Sequence, residues 1–140
     1  MSIRIKPSFE TYINGALALW LTTVRADGMP QPTPVWFAQD ADGSFVIYAM
    51  PDSQKVKNIR HNPKVSLSFN IDAMSEQYIV IMGEAKVDES LPPSSENSAY
   101  QEKYRTAIPA INFTPTSLAA TFSLPIRIIP SHIRGEIHTK

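Results

Sequence analysis

Lys55 lies in the opening turn of the segment Pro51-Asp-Ser-Gln-Lys-Val-Lys-Asn-Ile-Arg-His-Asn-Pro63, at the point where a helix dipole would favour a carboxylate. Asp52 or Ser53 can cap the helix start, Val56 and Ile59 fall three apart on one face, and Asn62-Pro63 stops the helix. The N–H groups of a first helical turn have no partner within the helix. Together with the positive end of the dipole and the mobile charge of Lys55, they make an anion site suited to a phosphate. A solvated surface helix with scattered lysines would produce the same local pattern.

Upstream lies Gly28-Met-Pro-Gln-Pro-Thr-Pro-Val-Trp-Phe37, with Pro30, Pro32 and Pro34 at every second position. Alternate N–H groups of a strand point to one side, so all three missing donors fall on the same edge. The opposite edge keeps the N–H groups of Gln31, Thr33 and Val35 and can pair normally. The proline edge then faces a ligand, a second subunit, or solvent as a protected sheet edge. After this strand come an Asp-Gly turn at Ala38–Gly43, a strand at Ser44–Ala49, and the anion-binding helix.

Other chemistries lack their residues. His61, His132 and His138 show no metal-ligand spacing and there is no cysteine, so no metal site is expected. No serine sits in a Gly-x-Ser-x-Gly elbow, and neither a Walker loop nor a glycine-rich dinucleotide fingerprint occurs. Asp40-Ala-Asp-Gly43 lacks the remaining ligands of a calcium loop and reads as a hairpin turn. Catalysis by a side-chain triad has no support, and no catalytic residue is assigned.

The elements that must position Lys55 are mainly strands. Ser8–Gly15 reads as a short helix with Ser8 as its cap, and Gly15–Val24 as a strand apolar on both faces and therefore central. Arg25-Ala-Asp-Gly28 turns it back into the proline strand. Lys64–Phe69 alternates with Val65, Leu67 and Phe69 inward, and Tyr78–Val87 follows with Gly83 marking a bulge or a bend. Asp88–Ser98 is a polar loop, Ala99–Thr106 and Thr114–Phe122 are short helices, and Leu124–Pro130 is a last strand with Arg127 out of phase with Ile126 and Ile128. Antiparallel spacing with few helices argues for a small barrel.

At 140 residues the chain reads as one domain, residues 1–140. Its formal net charge is zero and its pI about 6.8, so no global field draws it to nucleic acid or to an acidic membrane. Without cysteine, a leader-like apolar start or a membrane-length run, a soluble cytoplasmic protein is expected, with neither nucleic-acid nor membrane partners.

Four stretches in this order, Leu21–Phe37, Pro51–Leu67, Gly83-Glu-Ala85 and Pro125–Gly135, resemble the pyridoxamine 5′-phosphate oxidase-like split-barrel flavoproteins over nearly the whole chain. Within that superfamily the Thr-Thr-Val-Arg-Ala-Asp-Gly start and the Pro-Ile-Arg ending are most similar to the small branch that uses the deazaflavin coenzyme F420. The resemblance implies a six-stranded antiparallel split β-barrel of Greek-key type, and a homodimer with one cofactor, F420 or FMN, in each of two interface grooves. It places Gln31, Pro32, Thr33, Pro34, Val35 and Trp36 beside the ring, flanked by Tyr48 and Ala49, and Ser53, Gln54 and Lys55 at the phosphate. Gln54 stands where the oxidases carry an arginine and Tyr78 where they use a glutamine, and Arg127 would steady charge on ring or substrate. The implied activity is hydride transfer between the cofactor and a small conjugated substrate. An FMN-dependent oxidase or reductase of the pyridoxamine-phosphate type, and a non-catalytic protein binding a flavin or tetrapyrrole, are the alternatives.

Overall fold

The computed structural model describes residues 3–138. Helix α1 (Pro7–Gly15) leads into β1 (Leu19–Val24), β2 (Pro30–Val35), β3 (Ala38–Gln39), β4 (Phe45–Ala49), α2 (Gln54–His61), β5 (Lys64–Asn70) and β6 (Tyr78–Val87). A single 3-10 turn (Ser94–Glu96), α3 (Ser98–Lys103), α4 (Ala107–Ala110) and α5 (Pro115–Thr121) follow, and β7 (Leu124–Glu136) completes the chain. The strands form one antiparallel sheet in the order β2-β1-β5-β6-β7-β4-β3. Among the described residues no helix is long and apolar enough to cross a membrane.

The sheet has seven strands where six were expected, the addition being the two-residue β3 that pairs with Phe45 and Val46. The last strand also runs well past Pro130. There the ladder slips, because Met82 faces His132 while Gly83 faces Pro130, and Ser131 is the extra residue of the bulge. Pro130 has no N–H to give, and the Ser131 hydroxyl donates to the Met82 carbonyl at 3.1 Å. Gly83 is required at this crossing, since a Cβ there would lie 2.3 Å from the Ile129 carbonyl oxygen.

Two other expectations change. Helix α1 begins at Pro7, whose fixed φ suits the first helical position, and no side chain caps it. Strand β1 lies inside the sheet between β2 and β5, but only Leu19, Leu21 and Thr23 face inward; Trp20 on the other face is 49% exposed. Inward residues of β1, β4, β5, β6 and β7 meet Phe9 and Ile13 of α1 and Val56 and Ile59 of α2 in the main core. The outward Val46 and Tyr48 of β4 pack under α3–α5 with Tyr100, Tyr104, Ile108 and Leu118 in a second cluster.

Strands β2 and β3 are the two outermost strands of the sheet, yet only Trp36 and Phe37 separate them in sequence. Seven flat strands would put those edges roughly 29 Å apart, whereas the chain from Val35 to Ala38 spans at most roughly 11 Å. The sheet must therefore curl until its edges nearly meet. Tyr104, fully buried on the segment after α3, closes the seam: the Phe37 N–H donates to its hydroxyl at 2.9 Å, and that hydroxyl donates to the Leu17 carbonyl at 2.7 Å. Its ring stacks on Trp36 with centroids 4.3 Å apart and planes 5° from parallel.

Replacing Tyr104 with Phe keeps this stack but leaves the buried Phe37 N–H without a partner. The substitution should destabilise the fold by about 1–3 kcal/mol in urea unfolding. An unchanged midpoint would mean that the phenol does not hold the seam.

Candidate functional site

Helix α2 opens with its first-turn N–H groups unopposed by any acidic side chain of its own. Ser53 occupies the N-cap with extended backbone, its first turn contains no acid, and its side chain makes no capping hydrogen bond. A cap serine ordinarily accepts from the N–H two or three residues on. Here the Ser53 Oγ is buried and, among the described residues, has no hydrogen-bond partner. Lys55, the second residue of the helix, is half-buried, and burial lowers its pKa below the usual lysine range. Among the described residues no carboxylate pairs with it.

Beside Lys55 a cleft of about 190 Å³ is lined by Thr23, Gln31, Pro32, Thr33, Gln54 and Asn58. A chain of amides forms its floor. Gln54 Nε2 donates to Asn58 Oδ1 at 2.7 Å, and Asn58 Nδ2 donates to Thr23 Oγ1 and Gln31 Oε1, each at 2.9 Å. Asn58 is 2% exposed, so this network fixes α2 against β1 and β2.

Lys55 also lines a second cleft of about 310 Å³ with Pro34, Val35, Trp36, Tyr48, Tyr100, Leu118 and Phe122 among its walls. It lies along the split between the two ends of the curled sheet and is closed by α3–α5. Tyr48 is held there by two bonds: its hydroxyl donates to the Pro92 carbonyl at 3.2 Å and accepts from Asn97 Nδ2 at 3.0 Å. Asn97 in turn caps α3 by accepting from the Tyr100 N–H. Burial raises the Tyr48 and Tyr100 phenols above their ordinary pKa, so both stay protonated. No acid–base pair lines either cleft. The walls can exclude water from a planar ring, and the α2 end can hold its phosphate. A larger cavity of about 470 Å³ lies among α3–α5, where its one arginine, Arg105, is paired with Glu102.

The two clefts gather Gln31, Pro32, Thr33, Pro34, Val35, Trp36, Tyr48, Gln54 and Lys55, with Ser53 at the head of the same helix. Three expected residues stand elsewhere. Ala49 is 1% exposed and points into the main core, because β4 alternates and Tyr48 takes the outward position. Tyr78 opens β6 opposite Asn70 and Glu136 and lines neither cleft. Arg127 does point out of phase with Ile126 and Ile128, but it is spent on Asp88 at 3.1 Å, Asp40 at 3.1 Å, Asp42 at 3.3 Å and the Ser44 hydroxyl at 2.7 Å. The bond to Asp88, foremost, and the charges of Asp40 and Asp42 raise its already high pKa. It is a strut between strand and turn, with no charge to lend a ligand.

Register also decides what the ring would meet on β2. Thr33 pairs with Leu21 and Val35 with Leu19, and since the intervening prolines cannot donate, the N–H groups of Thr33 and Val35 are turned towards β1. The free edge offers the carbonyls of Pro30, Pro32 and Pro34, and no donors. Thr23, Asn58, Tyr100, Leu118 and Phe122 were not anticipated. Only Asn58 left a local trace, a second amide four residues after Gln54, the spacing at which helical side chains meet.

Residues 5–123 match the family model described as pyridoxamine 5′-phosphate oxidase, and the chain belongs to that family. It is 28% identical over 105 residues to the pyridoxine/pyridoxamine 5′-phosphate oxidase of Bacteroides fragilis, a match covering 74% of this chain and 43% of that enzyme. Among the curated relatives it matches, the chain spans between a quarter and about half of their length. Among solved structures, a conserved hypothetical protein from Mycobacterium tuberculosis superposes with a TM-score of 0.73 at 18% identity, over 99% of this chain and 92% of that one. A protein described as F420 reductase superposes with a TM-score of 0.68 at 25% identity, over 93% and 98% of the two chains. The fold is thus the split barrel of this superfamily, and its F420-related branch is among the similar structures.

Lys55→Ala should weaken binding of a phosphate-bearing flavin-type cofactor by about 1.5–3 kcal/mol, the usual worth of a hydrogen bond to a charged group. The thermal unfolding midpoint should hold, because Lys55 has no ion-pair or hydrogen-bond partner among the described residues. Titration giving the wild-type affinity for both FMN and F420 would remove Lys55 from the site.

Proposed function

We propose that the protein is a flavin-type oxidoreductase that binds coenzyme F420 or FMN in the linked clefts and transfers a hydride between it and a small conjugated substrate. The observation that carries this reading is the buried, unpartnered Ser53 Oγ at the head of a helix whose lysine has no counter-charge. Burying a hydroxyl without a hydrogen bond costs about 1–3 kcal/mol on protein scales. A phosphate oxygen that accepts from Ser53, Lys55 and the first N–H groups of α2 would offset that cost.

The bound ring supplies hydride transfer, and the protein supplies place and dryness. Val35, Trp36, Leu118 and Phe122 form apolar walls, Tyr104 holds Trp36 flat from behind, and Asn97 keeps the Tyr48 hydroxyl turned aside. The lack of an acid–base pair accords with chemistry carried by a cofactor. F420 is the favoured occupant, because Lys55 is the one cation among the residues that line the two clefts and Gln54 stands where the oxidases carry an arginine. Oxidation of a phosphorylated vitamer, the activity named for the curated relatives, is less well supported, since Arg127 is committed to three carboxylates. Storage of a tetrapyrrole is less well supported, since none of His61, His132 and His138 lines either cleft.

The same reading includes a homodimer with the cofactor at its interface. The sheet's outer face carries Trp20 and Met82, 49% and 38% exposed, on rows that cross β1, β5 and β6 through Ser66, Ser68 and Val80. A second copy would cover this face and the acceptor-only edge of β2.

Absorbance and mass of the ligand that copurifies from a host making both cofactors should identify F420, or FMN as the lesser outcome. A purified protein that carries neither, and binds neither on titration, would end the oxidoreductase reading. Sedimentation at micromolar concentration should give a dimer; a stable monomer would contradict the shared groove.

A further inference from the structure

We infer that the cleft beside Lys55 is built for a singly charged phosphodiester rather than a doubly charged phosphomonoester, and that Gln54 is the residue that sets this preference. The inference rests on the cofactor site proposed above and concerns what kind of phosphate that site takes.

Charge is the first ground. Of the residues lining the smaller cleft, Lys55 alone is charged; the rest are two threonines, two glutamines, an asparagine and a proline. Lys57 is two positions on and Arg60 five, so neither shares the side of α2 that presents Lys55 to the clefts. A phosphomonoester carries about −1.5 to −2 at pH 7. Against one lysine and a helix end worth roughly half a charge, part of that charge would remain uncompensated in a partly desolvated site. A phosphodiester carries a single charge and is matched.

The second ground is that position 54 is fixed as a neutral group. Gln54 is exposed, but its amide is tied at 2.7 Å to Asn58, which is itself buried and bonded to both β1 and β2. Pro32 lines the same cleft from the β2 edge, which presents carbonyl acceptors and no donors. Acceptors on that side disfavour a second negative charge.

Shape is the third ground. Lys55 is the residue common to the two clefts. A phosphate held there can send one ester arm into the apolar cleft that would take the ring. The smaller cleft leaves a course for the other arm, which a monoester lacks.

The test is a titration of the full chain with F420, with FMN, and with riboflavin, which has the ring but no phosphate, using the wild type, Gln54→Arg and Gln54→Lys. Arginine can still donate to Asn58 Oδ1 while adding a cation, and unfolding midpoints establish that each variant is folded. In the wild type, F420 should bind more tightly than FMN, and both more tightly than riboflavin. Gln54→Arg should tighten FMN about tenfold, as a new charge-assisted bond allows, while shifting F420 and riboflavin by less than about twofold. Equal tightening of FMN and F420, or tighter FMN than F420 in the wild type, would overturn the inference while leaving the cofactor site standing. Should only one variant fold, that variant decides. If none of the three ligands binds the wild type, the cofactor site and this inference fall together.

Discussion

The structure depends on one constraint of chain length: two residues, Trp36 and Phe37, join the two outermost strands of a seven-stranded sheet. A connection that short cannot cross a flat sheet, so the sheet curls and its edges are left facing each other across a split. The split has to be filled, and its backbone groups have to be satisfied. Tyr104 does both, by supplying hydrogen bonds to Phe37 and Leu17 and a flat surface for Trp36. What remains of the split is the apolar cleft. The site is therefore a consequence of how the barrel closes, rather than a pocket added to a finished fold.

The prolines of β2 follow from the same geometry. An edge strand beside an open split would present N–H groups to any passing strand, and three prolines remove those donors while leaving the pairing to β1 intact. The edge becomes an acceptor surface next to a helix end that is positive. Between them stand Lys55 without a carboxylate and Ser53 without a cap bond, two features that are costly in an isolated protein and sensible beside an anion.

Much of this was legible in the chain. The spacing of Pro30, Pro32 and Pro34, the boundaries of β6, the break at Gly83 and the opening turn of α2 are local patterns, and each lies where those patterns place it. The residues that were misplaced depend on contacts far along the sequence. Arg127 has an outward phase that says nothing of Asp40 and Asp88, which come 87 and 39 residues away to neutralise it. Tyr104 falls within the helix expected at Ala99–Thr106, and its bond to a residue 67 positions earlier has no local signature. Asn58 looks like a polar residue on a short amphipathic helix until β1 and β2 are folded against it. β7 was cut short because Pro130 reads as a stop, whereas a bulge opposite Gly83 lets the strand continue.

The central claim is that the head of α2 holds a cofactor phosphate while the ring lies in the split. A ³¹P resonance of the bound cofactor tests it most directly, recorded for the wild type and for Lys55→Ala under conditions where ring absorbance shows full occupancy. The account predicts a phosphate resonance displaced from its free position in the wild type and returned towards it in the variant. A phosphate that keeps its free-solution shift while the ring is bound would place it in solvent and contradict the account.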